Sequence, residues 1–238
     1  MKITQSFKFL RPFFLLSLII IAFNAQSQDS PKHFIEAGIS PSSYRGDLNN
    51  SFQQWTAIYN AGIKFYKKKR FNGSLNLFAG NITGQNGRYE FNPDLNPSPT
   101  PNTYFKTTVI GVNYDLQLNL IKRKWGCIFI SQGIGLMRFT PKDQNNDKLQ
   151  NKLSTRAKGE DYNNMTFVFP TKIGAMFFLP SWYAISLQAG YLNPTSDYLD
   201  NISNWGVRKK KDNILTIKLS VFIPLNSNKS GTSPATSK

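Results

Sequence analysis

A chain of 238 residues with 40% hydrophobic and 14% aromatic residues is too apolar for a disordered polymer, and its formal net charge is +16. One cysteine excludes an internal disulfide framework and any multi-cysteine metal site, and one histidine argues against histidine metal sites and histidine-dependent catalysis. No apolar run reaches the ~18 residues of a transmembrane helix.

The chain opens with Lys2, Lys8 and Arg11 around the start of an apolar run, Pro12–Phe23, followed by Ala25-Gln26-Ser27. A basic start, a run of this length and a small-x-small site predict a signal peptide over 1–27. No cysteine stands at the cleavage point, which excludes a lipoprotein anchor.

From residue 28 the periodicity is two, not 3.6, which predicts strands with two different faces. In chain order, residues 34–40 set Ile35, Ala37 and Ile39 against Glu36, Gly38 and Ser40. Residues 55–66 put Trp55, Tyr59, Ile63 and Phe65 on one face and Thr56, Asn60 and Lys64 on the other. Residues 71–83 oppose Leu75, Leu77 and Ala79 to Ser74, Asn76 and Gly80. The clearest case is 110–120, where Ile110, Val112, Tyr114, Leu116 and Leu118 face away from Gly111, Asn113, Asp115, Gln117 and Asn119. Residues 126–138 place Ile128, Ile130, Ile134 and Leu136 against Ser131, Gly133 and Gly135. Residues 167–178 place Phe167, Phe169, Ile173 and Phe177 against Lys172 and Gly174. Residues 183–191 (Tyr183, Ile185, Leu187, Tyr191 against Ser186, Gln188, Gly190) and 214–225 (Leu215, Ile217, Leu219, Val221 against Thr216, Lys218, Ser220) complete eight.

The connections alternate in length. Those at 67–70, 121–124 and 179–182 are short; those at 41–54, 84–103, 140–164 and 192–211 are long and polar. An even strand count with tight turns at one end and large loops at the other is the layout of an outer-membrane barrel. The expected fold is therefore all-β: a closed eight-stranded antiparallel up-and-down transmembrane β-barrel over 28–225. Both termini lie on the periplasmic side, and 226–238 form a disordered periplasmic tail.

Alternation alone does not say which face is outside. A soluble lipocalin-like carrier would turn its apolar face inward. Glycine and charge on one face, aromatic residues at strand ends on the other, and an export signal favour a membrane wall with a polar lumen. Eight strands enclose only enough room for side chains, so no open diffusion pore is expected. Unpaired buried charge is costly, so Glu36, Lys64, Asp115, Lys172 and Lys218 are expected to form a lumenal charge network.

Two loop segments stand out. After the first strand the chain reads Tyr44-Arg45-Gly46-Asp47-Leu48-Asn49, and before the last it reads Ser196-Asp197-Tyr198-Leu199-Asp200-Asn201-Ile202-Ser203. Both flank the last strand of a closed barrel, so they should meet on the extracellular side, with Arg45 placed to pair with Asp197 or Asp200. Gly46 would supply a positive φ, and Tyr198 would keep its hydroxyl wet at the rim. A structural lid over the barrel mouth is the expected role, ahead of a ligand site.

These two segments resemble the motifs of the PorG-like outer-membrane β-barrel family, of the type IX secretion and gliding machinery. The resemblance covers His33 to Leu225. It implies an outer-membrane barrel that anchors a periplasmic ring formed by a lipoprotein and its partner protein, with no cofactor. The polar tail after Leu225 departs from barrels that end on an aromatic residue.

Other features read more plainly. His33 has no second histidine and no nucleophile beside it in the pattern. Cys127 falls on the lumenal face as a small core residue. No catalytic set and no metal site are expected. The basic runs lack interleaved aromatics and the chain is exported, so nucleic acid is not an expected partner. Lys67, Lys68, Lys69 and Arg70, with Lys122, Arg123 and Lys124, are expected on periplasmic turns, facing phospholipid head groups or an acidic protein partner. Arg208–Lys211 face outside, where lipopolysaccharide phosphates are natural partners. The competing reading is a barrel that binds a small ligand or transports a hydrophobic one, supported if a lateral gap opens near Pro170.

Overall fold

The computed structural model describes residues 31–48, 51–66, 70–85, 100–205 and 212–225. The expected signal peptide, the tail after Leu225 and Arg208–Lys211 lie outside these residues.

Eight strands form in chain order: β1 (His33–Arg45), β2 (Trp55–Phe65), β3 (Phe71–Gln85), β4 (Tyr104–Arg123), β5 (Gly126–Lys142), β6 (Met165–Phe178), β7 (Ala184–Pro194) and β8 (Asn213–Leu225). Each pairs antiparallel with its sequence neighbours, and β8 returns to β1, closing the barrel. His33 faces Phe65 on one side and Leu225 on the other, so both ends of the sheet lie at the rim with the short turns. Closure leaves no free edge and pairs backbone groups that hydrocarbon could not satisfy.

The wall is apolar outward. Leu116, Leu187 and Ile217 are 50%, 54% and 40% exposed, whereas their neighbours Asp115 and Lys218 are 4% and 3% exposed. A water-soluble barrel would have the opposite polarity, so this wall is built for a lipid surround. Trp125, stacked on Phe177 at 5.8 Å, and Tyr183 ring the short-turn end of the apolar belt. The described residues include no helix long and apolar enough to cross a membrane, and the strands do the crossing.

The strands at the long-loop end run further than the alternation predicts. β1 continues through 41–45, β4 starts at Tyr104 and β5 runs to Lys142. The pattern there changes sign: Phe105, Val109, Met137 and Phe139 point inward, while Lys106, Thr108 and Arg138 point outward. These extensions stand above the lipid, where apolar residues belong inside. At the opposite end, a register shift between Asn119 and Ile121 puts both Leu120 and Ile121 outward and pairs Lys122 with the lumenal Cys127. Lys122 and Arg123 thus end β4, and the turn itself is only Lys124-Trp125.

Candidate functional site

The lumen has three layers. At the short-turn end, Phe34, Tyr66, Cys127, Phe129, Met176, Ala184 and Phe222 pack into an apolar floor. Phe34 meets Tyr66 and Phe222 edge-on, with centroids at 5.9 and 6.3 Å.

Above it lies a polar layer holding the five lumenal charges. Lys218 Nζ is 2.5 Å from Glu36 Oε1, and Ser220 Oγ donates to the same oxygen at 2.7 Å. Lys172 Nζ is 2.9 Å from Asp115 Oδ2. The Asp115 carboxylate also accepts from Asn113 at 2.6 Å and Asn76 at 3.2 Å. A Cβ on Gly133 would lie 2.0 Å from Asp115 Oδ1, so glycine here makes room for the carboxylate. Four of the five charges form these two ion pairs, and Lys64 stands in electrostatic reach of Glu36 and Asp115. Lys64 donates to Gln117 and sits 5.1 and 5.6 Å from the Phe129 and Phe222 ring centroids, where the ring quadrupoles take up its charge.

The layer at the long-loop end is apolar again and is completed by the loops. Leu48, Leu149, Leu199 and Ile202 drop onto Phe78, Ile82, Phe105, Phe139 and Ile214 from the strands. The two loop motifs meet here, through Tyr44. Its hydroxyl donates to Asp200 at 2.8 Å and contacts Asp212. Asp200 also accepts the Leu48 and Ile202 amides at 3.0 Å each, and Asp212 accepts the Leu199 amide at 2.7 Å. Tyr44 has one hydroxyl proton for two carboxyls, so one aspartic acid supplies the other. Burial pushes Asp200 up to about 6. Burial, with the Asp200 charge beside it, raises Asp212 well above the usual carboxylate range.

Several expectations are corrected. Arg45 does not pair with Asp197 or Asp200: position 45 faces outward, and its guanidinium lies 5.1 Å from the Phe52 ring. Gly46 has no positive φ, the only such glycine among the described residues being Gly159. Its requirement is space, since a Cβ would lie 1.8 Å from the Tyr44 hydroxyl and 2.1 Å from Asp212. Tyr198 is half-buried: it stacks on Tyr162 at 4.7 Å, and its hydroxyl donates to Glu160 at 3.0 Å. Asp47 is buried in the same plug, and Asp197 accepts the Asp212 amide at 3.1 Å.

Sequence reasoning missed Asp212, Glu160, Arg156 and the four loop apolars. Arg156, 3% exposed, donates to Asn201 at 3.1 Å and to the Gln150 carbonyl at 3.0 Å. Asp212 carried one signal, as the acid that ends the basic run 208–211 just before a strand. Among the described residues no group of three histidine, cysteine, aspartate or glutamate side chains is arranged to hold a metal.

At the short-turn end, His33 begins β1 and packs edge-on against Phe65 at 5.6 Å. Arg70 is exposed and its carbonyl accepts the Asn119 amide at 2.8 Å. Lys67, Lys68 and Lys69 lie outside the described residues. Lys122, Arg123 and Lys124 line a cavity of about 600 Å³ with Tyr66, Phe178 and Trp182. Pro170 points inward on β6. The β5–β6 ladder skips from Gln132–Thr171 to Gly135–Val168 around it.

No protein-family model matches the sequence, and no curated protein matches it. Among solved structures, the chain is similar to Ail, the attachment invasion locus protein of Yersinia pestis, at 8% identity and a TM-score of 0.47, covering 82% of this chain and 98% of that one. It is similar to Neisserial surface protein A at 9% identity and a TM-score of 0.48, covering 83% and 100%. The outer membrane enzyme PagL gives 14% identity and a TM-score of 0.37, covering 80% and 99%.

Proposed function

We propose that this barrel is a non-enzymatic anchor in the bacterial outer membrane. It would hold a periplasmic assembly of the type IX secretion and gliding kind in place through its short turns and tail. The observation that carries this reading is how the interior is used. Four of its five lumenal charges are consumed in two internal pairs, and its long-loop mouth is closed by Leu48, Leu149, Leu199 and Ile202. What faces outward is the stiff wall and the basic, aromatic rim at the short turns. The single histidine, His33, stands at that rim, far from any carboxylate of the plug. The partners are the lipids and lipopolysaccharide around the wall, and a ring lipoprotein with its partner protein beneath it.

The test is cross-linking in the native cells, followed by gentle detergent extraction and identification of what co-purifies. Reversing the charges at Lys67–Arg70 should deplete a periplasmic lipoprotein and its partner severalfold at unchanged barrel abundance. Unchanged recovery defeats the reading.

One observation favours a second reading, binding or lateral transport of a hydrophobic ligand. The ladder interruption at Pro170 lies beside a groove of about 490 Å³ lined by Phe71, Leu116, Leu118, Ile130, Ile173 and Tyr191. Within it Thr171 donates to Gln132 at 2.8 Å, two polar side chains inside the apolar belt. That reading requires saturable occupancy by a spin-labelled fatty acid, lost on Ile173→Trp.

A further inference from the structure

Two irregularities of the backbone converge on the periplasmic mouth. The first is the bulge between Asn119 and Ile121. Without it, strict alternation would point Lys122 at the lipid. With it, Lys122 turns to the lumenal side, its Nζ 5.5 Å from the Tyr66 ring centroid. Bulges re-aim side chains in this way and are frequent beside functional sites. The second is the β6–β7 turn. Ser181 and Trp182 are consecutive non-glycine residues with φ of 58° and 66°. A left-handed conformation is unfavourable for such residues and persists where the surroundings hold it. Here it carries the Trp182 ring edge-on to Phe178, at 6.0 Å, and Phe178 in turn meets Tyr66 at 5.5 Å.

The product is a cavity of about 600 Å³ with an aromatic wall (Tyr66, Phe178, Trp182) and a cationic lip (Lys122, Arg123, Lys124). Its volume lies in the ~300–1,000 Å³ range of ligand pockets. The cavity sits on the axis side of the wall: Tyr66 belongs to the lumenal floor and Phe178 packs against it. The interfacial ring of Trp125, Phe177 and Tyr183 stands on the outer side.

We propose that this mouth is a docking site for an extended segment of a periplasmic protein in which an acidic side chain neighbours an aromatic or aliphatic one. The carboxylate would meet the three cations, and the apolar neighbour would lie against Trp182 and Phe178. This deepens the anchor reading and rests on it for the partner's location. Charge complementarity selects the occupant. The chain's own segment 226–238 contains no acidic side chain and two lysines, so it lacks the charge that complements the lip. A lipid phosphate has the right charge, but it lies outside the belt, across the wall from the aromatic surface.

The full-length barrel in phosphatidylcholine nanodiscs tests the site. It is titrated with a fluorescein-labelled peptide of alternating glutamate and phenylalanine, and with the same peptide carrying glutamine for glutamate. The acidic peptide should bind saturably and at least tenfold more tightly than its glutamine counterpart. Lys122→Gln, an exposed substitution, should weaken it about tenfold, as expected for loss of a charge-assisted contact. Trp182→Ala should weaken it similarly, Trp182→Phe should restore most of the binding, and Trp125→Ala on the outer face should leave it unchanged. Heat-modifiable electrophoretic mobility verifies that each variant is folded. Equal binding of the two peptides, or insensitivity to Lys122→Gln, overturns the proposal. Loss of peptide binding when phosphatidylglycerol replaces phosphatidylcholine assigns the site to lipid and overturns it too. A barrel that binds the peptide yet captures no periplasmic complex sinks the anchor reading alone. One that captures the complex but ignores the peptide sinks this site alone.

Discussion

The middle and the top of the lumen are both fully buried, yet they solve opposite problems. The middle lies within the belt that faces lipid outside, and its inner residues are ionic: Glu36 with Lys218, Asp115 with Lys172. The top stands above the belt, its outer residues are polar, and its inner ones are apolar and covered by loop side chains. The difference teaches that interior polarity follows what lies on the other side of the wall. Where the outer face takes the hydrophobic residues, alternation leaves polar ones to the lumen, and they must pair among themselves. Where the outer face meets water, a conventional apolar core returns. The two most deeply buried acids of the top, Asp200 and Asp212, are held by a hydroxyl and by loop amides rather than by a cation.

The contrast breaks most sharply in the middle layer. Lys218→Met strands the Glu36 carboxylate in a closed interior and should cost about 3–5 kcal/mol in urea unfolding of the lipid-embedded barrel. The double variant Glu36→Leu with Lys218→Met should recover most of that loss. A single variant as stable as the parent would mean that water reaches the pair.

The top should respond through its loops rather than through the whole barrel. Tyr44→Phe leaves two buried carboxyls without their shared hydroxyl. It should loosen the plug by about 1–3 kcal/mol, read as faster hydrogen exchange at the Leu48, Leu199 and Ile202 amides. The pH dependence has a definite sign. Both carboxyls titrate above the ordinary aspartate range, so the folded plug binds more protons than the open one. Their contribution is complete below that range and lost as pH rises through about 6. Exchange at the three amides, corrected for its intrinsic rate, should therefore accelerate between pH ~4 and ~7, and Asp212→Asn should flatten the profile. A plug that tightens with rising pH contradicts this arrangement.

The smallest effect belongs to the outer surface of the same region. Arg45→Ala removes only a guanidinium over the half-buried Phe52 ring and should change stability by at most about 1 kcal/mol. A larger loss would mean that Arg45 holds the plug after all.

Much of the wall was legible because its signal is local. A strand between lipid and a lumen contrasts its two faces residue by residue, so Leu116 beside Asp115 and Ile217 beside Lys218 declare the fold and its strand number within a short window. The loop motifs were legible as a meeting place, since both adjoin β8, but not in their contacts. Parity already puts Arg45 outward and Tyr44 inward, although a charged residue near two aspartates suggests an ion pair. The early start of β4 and the late end of β5 were hidden because their polarity is inverted above the lipid.

What the amino-acid sequence determined by itself is a closed eight-stranded wall, its polarity and the end at which its loops gather. Nearest-neighbour alternation and connection length carry the wall and its loop end, and the polarity rests on the glycine and charge of one face and the aromatic strand ends of the other. Tertiary structure alone decided that Lys64 rests on two phenylalanine rings, that Tyr44 links Asp200 to Asp212, and that a bulge turns Lys122 into the mouth. Each depends on residues brought together across the lumen from far apart in the chain, or on a single extra residue that shifts parity. No local pattern records either.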